Sequence, residues 1–135
     1  MGVKITGRMI DPLTYEMRHE SGALIMTTAP KDNGGGGDKF SPTDLAVTAY
    51  GSCVATIVGL YAEHHDITID ELSFELEKEM STNPRRIGKI IATFKVKTNC
   101  TKEAFDKLIK AGQGCPVRRS LHSETVVEEK FVQIK

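Results

Sequence analysis

The stretch that most limits what this chain can become runs from Leu45 to Ala62 without a single charged side chain. It is introduced by Ser41-Pro42-Thr43-Asp44 and carries on to His65, about six turns of helix at 3.6 residues per turn. Ser41 suits the N-cap, and Pro42 loses no hydrogen bond in a first turn. Asp44 falls where its carboxylate completes a capping box at the positive end of the helix dipole. A helix that is apolar on all sides belongs in an interior. The run sits near the lower limit for a membrane span, is broken by Thr48, Ser52 and Thr56, and lacks flanking anchors, so a buried central helix with no membrane partner is expected. Gly51 and Gly59 each cost about 1 kcal/mol of helix propensity, which implies that something packs closely against them.

The other segments read as a frame for this helix. Val3 and Ile5, then Leu13, Tyr15 and Met17, then Ala23, Ile25 and Thr27 alternate as three short strands separated by Asp11-Pro12 and Ser21-Gly22. Residues 29–39, with Gly34 to Gly37, have the composition of a mobile loop. No Gly-Lys-Ser/Thr follows them, so a phosphate loop is not indicated. Beyond the helix, Leu72, Phe74 and Leu76 and then Ile90, Ala92, Phe94 and Val96 alternate about a turn at 81–84, giving two antiparallel strands. Thr101 caps a second helix that Gly112 and Gly114 end, and Cys115-Pro116 opens a short third one. A last strand spans about 125–134. This order predicts an α+β fold in a single domain over residues 1–135. One sheet can cover only one side of the long helix, so an intertwined homodimer, with two such helices between two sheets, is expected.

Eighteen basic residues balance eighteen acidic ones, which gives no electrostatic reason for a nucleic-acid partner. Cys53, Cys100 and Cys115 are odd in number and widely spaced, unlike a secreted disulfide framework or a zinc site. A reducing cytoplasm suits them. The N-terminus lacks a signal-peptide core, and its match to a myristoylation pattern at Gly2 and Thr6 is read as chance.

Chemistry has three candidate carriers. Cys53 lies mid-helix, where a cysteine is commonly an inert small hydrophobe and where a thiolate would require a side-chain cation. Cys115, at a helix N-cap, is on sequence grounds the more acidic of the two. His64 and His65 stand beside Asp66, but adjacent helical histidines diverge and no third ligand is near, so a solvated helix end is expected and no metal.

Ser41-Pro42-Thr43-Asp44-Leu45 through Gly51-Ser52-Cys53, the glycine loop before it, and Cys115-Pro116-Val117 followed by Arg119-Ser120-Leu121 together resemble the OsmC/Ohr family, osmotically inducible and organic hydroperoxide resistance proteins, in its OsmC-like branch. The similarity spans roughly residues 22–121. The resemblance implies an intertwined α+β homodimer and a thiol peroxidase acting on organic hydroperoxides. Cys53 becomes a sulfenic acid, Cys115 condenses with it to a disulfide, and an external dithiol of dihydrolipoyl type restores both, with no bound cofactor. In the family an arginine from the N-terminal sheet region pairs with a glutamate in the first turn of the long helix. Thr43 occupies that position here. Asp44, beside it, either takes over the role or only caps the helix, and Arg18 is the first choice for the arginine, ahead of Arg8, with Arg118 or Arg119 able to act locally. Cys100 is expected to be a bystander. A second class of function stays open, a non-enzymatic dimer that binds a small ligand or senses redox state on the same scaffold.

Overall fold

The computed structural model describes residues 2–135, and its backbone contacts gather into two compact units, one ending at Ala46 and the other running from Val47 to Lys135. In the first, β1 (Ile5–Asp11), β2 (Thr14–His19) and β3 (Leu24–Thr28) form an antiparallel meander, with Gly7 opposite Met17 and Met17 opposite Ile25. Leu13, which the alternation puts in a strand, instead occupies the β1–β2 turn with a φ of 56°. The sheet buries Thr14, Thr27 and Thr28, and Thr14 and Thr28 hydrogen-bond through their hydroxyls at 3.0 Å. Its larger apolar side chains, among them Ile5, Met9, Ile25 and Met26, are exposed in the single chain.

The glycine-rich segment is a built turn rather than a structureless one. A 3₁₀ turn at Lys31–Asn33 is closed by amides of Asn33 and Gly35 donating to the Pro30 carbonyl, each at 2.9 Å. A Cβ on Gly35 would fall 1.5 Å from the Ala29 carbonyl oxygen, so only glycine allows this approach.

The long helix, α1 (Pro42–His64), starts as its sequence demands: the Ser41 hydroxyl accepts from the Asp44 amide at 3.1 Å, and the Asp44 carboxylate accepts from the Ser41 amide at 2.9 Å. In the second unit, β4 (Glu71–Ser81) and β5 (Arg86–Lys97) pair antiparallel, with Phe74 opposite Phe94. From β5 the chain crosses through α2 (Lys102–Gly112) and α3 (Pro116–Arg119) to β6 (Val126–Ile134), which lies parallel to β5 with Phe131 opposite Phe94. The Thr101 hydroxyl caps α2 by accepting from the Ala104 amide at 3.1 Å.

The core of this unit joins Val54 and Val58 of α1, Ile90, Phe94 and Val96 of β5, and Leu108 of α2. As expected where one sheet covers only one side, a single chain buries only the α1 stripe Val47, Tyr50, Gly51, Val54, Val58 and Ala62, and Leu60 on another side is 47% exposed. The two glycines differ accordingly. A Cβ on Gly51 would meet Leu76 at 2.7 Å and Phe74 at 3.0 Å, whereas one on Gly59 would meet nothing within 4 Å.

Candidate active site at the paired cysteines

Cys53 and Cys115, separated by 62 positions in the chain (115 minus 53), are free thiols brought near enough for Cys53 to act on the titration of Cys115. Local structure aims each of them. On α1, Tyr50 and Val54 face the core, and Cys53, between them, is half-buried at the edge of that stripe. Cys115 is the N-cap of α3, with extended backbone, Pro116 following, and its Sγ accepting from the Arg118 amide at 3.3 Å. It is wholly buried. The loop before it is laced by side chains, Arg118 Nη1 donating to the Gln113 carbonyl at 3.3 Å and Arg119 Nε to that of Gly114 at 3.1 Å.

The expectation that Cys115 is an acidic thiol is reversed. Burial pushes its pKa up from the ordinary 9.0, and the neighbouring Cys53 pushes the same way, against the Arg118 amide that pulls it down. The four-residue helix supplies the Arg118 and Val117 amides, and enclosure outweighs them.

Beside the thiols lies a polar cluster that sequence reasoning missed. The Glu129 side chain on β6 is 4% exposed; it accepts the Tyr50 hydroxyl on one oxygen and pairs with Arg118 Nη1 at 3.4 Å on the other. Tyr50 precedes Cys53 by three positions and Arg118 follows Cys115 by three. Burial, then the hydrogen bond and charge of Glu129, hold the Tyr50 phenol far above its ordinary 10.0, and charge on Cys115 acts in the same direction. The signal for Glu129 was present: it alternates with Val127 and Phe131, both packed on the core, so a carboxylate occupies an inward position of the strand.

Arg18 and Asp44 both belong to the first unit. Arg18 is an exposed β2 residue opposite Thr6 and Leu24, and Asp44 serves the helix cap already described. The Arg118 guanidinium bonds to Glu129 and Gln113, and it is that residue's backbone amide that reaches a sulfur. Cys100 faces Gln133, whose Nε2 donates to its carbonyl at 2.9 Å. His65 stacks on Tyr61 at 3.9 Å between ring centroids and its Nδ1 lies 2.9 Å from the Tyr61 carbonyl. Among the described residues no three His, Cys, Asp or Glu side chains form a metal-binding group. A groove of about 520 Å³ runs along α1 past Ser52, Thr56 and Gly59 to Ile67, Leu72 and Phe74.

No curated protein sequence matches the chain. Among solved structures, a Psychrobacter arcticus 273-4 protein provisionally described as an osmotic stress induced and detoxification response protein is 30% identical, with 98% of this chain and 94% of that one covered at a TM-score of 0.84. An OsmC like protein from Mycoplasma pneumoniae shares the fold at 16% identity, 100% and 99% coverage and a TM-score of 0.82. The organic hydroperoxide resistance protein OhrB of Bacillus subtilis does so at 17%, with 97% and 98% covered and a TM-score of 0.64. The family model described as OsmC-like protein matches residues 35–130, which take in the long helix, both cysteine motifs and most of β6. With this match, the relative at 30% identity and the shared α+β architecture, the chain belongs to the OsmC/Ohr family.

Proposed function

We propose that this protein is a thiol peroxidase that reduces organic hydroperoxides with Cys53 as nucleophile and Cys115 as resolving thiol. The observation that supports the reading is that two free thiols, one half-buried and one buried, lie at the same core cluster, near enough for one to influence the other. The Cys53 thiolate attacks the terminal oxygen of ROOH, the O–O bond breaks, and the alkoxide takes up a proton and leaves as ROH. Sulfur is thereby oxidised by two electrons to a sulfenic acid. The Cys115 sulfur then attacks it, the Cys115 proton and the sulfenic hydroxyl depart as water, and a disulfide closes. An external dithiol reduces that disulfide and is itself oxidised to one, so the cycle calls for no bound cofactor or metal. On the family resemblance Arg18 is the first choice for the cation that favours the Cys53 thiolate, and Asp44 either stands in for the glutamate that would orient it or serves only the helix cap. The exposed side of α1 and the exposed apolar side chains of the first sheet suit a homodimer in which a partner covers them, and the cytoplasm is its proposed compartment.

Consumption of cumene hydroperoxide with a dithiol reductant tests the reading. Wild type should turn over, Cys53→Ser should be inactive, and Cys115→Ser should stall after one equivalent as a trapped sulfenic acid. Equal slow rates in all three would reject it. The α1 groove favours the second reading, a binder of small apolar ligands, because Cys53 is not part of its lining. Saturable binding of such a ligand by a Cys53→Ser variant, without peroxide turnover in wild type, would select that reading.

A further inference from the structure

The polar cluster of Tyr50, Glu129 and Arg118 joins the three elements that meet at the thiols. Tyr50 rides on α1 with Cys53, Arg118 on α3 with Cys115, and Glu129 sits between them on β6. A buried carboxylate with two charge-assisted partners is a poor stabiliser compared with an apolar side chain of the same volume, because its desolvation offsets most of the attraction. Its geometric effect is another matter, since two partners on two oxygens fix direction as well as distance. α3 has much to gain from such fixing. It is four residues long, too short to hold a helix by itself, and none of the four is fully buried. Through Arg118 the cluster reaches the Cys115 sulfur, which accepts that residue's amide, and the Gln113 carbonyl at the start of the loop.

We infer that Tyr50, Glu129 and Arg118 form a positioning clamp that holds Cys115 in register with Cys53 and sets how fast their disulfide closes. The inference deepens the peroxidase reading and rests on it for its place in a catalytic cycle, but the clamp itself acts on two thiols whatever oxidises them. A disulfide demands a sulfur–sulfur distance near 2 Å and a dihedral near 90°, and misplacement by about 1 Å can cost on the order of 100-fold in rate.

Diamide provides a test that does not involve a hydroperoxide. It takes two electrons and two protons from the Cys53 and Cys115 thiols, becomes its hydrazine, and leaves the disulfide. Tyr50→Phe removes one leg of the clamp with a single hydroxyl, and Glu129→Gln weakens the other by removing the charge that pairs with the guanidinium. The reduced full-length variants are oxidised with diamide in a Cys100→Ser background and disulfide closure is followed by quenched alkylation. In parallel, the alkylation rate of Cys53 is measured with Cys115 replaced by serine. Closure should slow about 10-fold or more in each variant while Cys53 alkylation stays within about twofold of the parent. Unchanged closure in folded Tyr50→Phe would overturn the clamp, and so would equal slowing of closure and alkylation, which marks a general structural defect. Should the wild type fail to consume hydroperoxides yet show the split with diamide, the peroxidase reading falls and the clamp stands.

Discussion

Gly112→Ala should loosen the protein and its thiol pair together, because the last residue of α2 is wedged against two valines of α1. A Cβ there would lie 2.9 Å from Val58 Cγ2, 3.1 Å from Val54 Cγ1 and 3.6 Å from the Val54 carbonyl oxygen. Carbon atoms prefer about 3.5–4.0 Å, so the elements must separate by roughly 0.5–1 Å. Val54 and Val58 are 0% and 1% exposed, and their branched side chains have essentially one helical rotamer, so the end of α2 is what moves. Overpacking of this kind costs about 1–3 kcal/mol, from which up to about 1 kcal/mol of recovered helix propensity is subtracted. A net loss of about 1–2 kcal/mol is expected, or several degrees in Tm for a chain of this size. Urea unfolding at one fixed protein concentration measures it, since an oligomer's stability depends on concentration. The Cys115 amide donates to the Gly112 carbonyl at 3.2 Å, so the displacement is passed to the thiol, and diamide-driven closure should slow as well. A variant as stable as wild type with unchanged closure would show that the α1–α2 contact yields freely, and the reasoning would fail.

Gly59→Ala tests the dimer: a Cβ there meets nothing in one chain, so stability should fall if a second copy covers that face, whereas a rise of up to about 1 kcal/mol would mean that the face stays open. Sedimentation at micromolar concentration should give a dimer, and a stable monomer would rule out the intertwined assembly. Stability should decline at alkaline pH. The pKa values of Cys115 and Tyr50 are raised on folding from ordinary values of 9.0 and 10.0, so their contribution is complete below about pH 9 and is lost as pH rises through the raised values. Thermal melts between pH 7 and 11 should show this, and Cys115→Ser and Tyr50→Phe should each flatten the decline. Thr101→Ala should cost about 0.5–2 kcal/mol in the same urea assay, with Cys53 alkylation unchanged, because it removes only the α2 cap.

What could be read from the chain was what neighbouring residues decide among themselves. The Ser41–Asp44 capping box, the Thr101 cap and Cys115 before Pro116 each involve partners no more than three positions apart, and all took the expected form. The strand alternation of Ile90 to Val96 likewise reports one face of one strand. What escaped was set by distant partners. Tyr50 and Glu129 are 79 positions apart, and no local pattern pairs them, although the inward phase of Glu129 hinted at a partner. The sign of the Cys115 shift was misjudged for the same reason, since the cap is local while the enclosure that overrides it comes from α1 and the core. In the first unit, periodicity found the strands but could not tell which apolar side chains one chain would leave uncovered, or that Leu13 would be given to a turn.

The parallel pairing of β6 with β5 also bears on when the thiols become a pair. A chain made from its N-terminus presents Cys53 first and Cys115 much later, and the carboxylate that ties their two helices follows 14 residues after that (129 minus 115). Until β6 has docked along β5, α3 has no tether to α1 through Glu129. Completion of the fold is thereby what fixes α3 against α1, and in a nascent or partly unfolded chain Cys53 and Cys115 are not held together by this cluster.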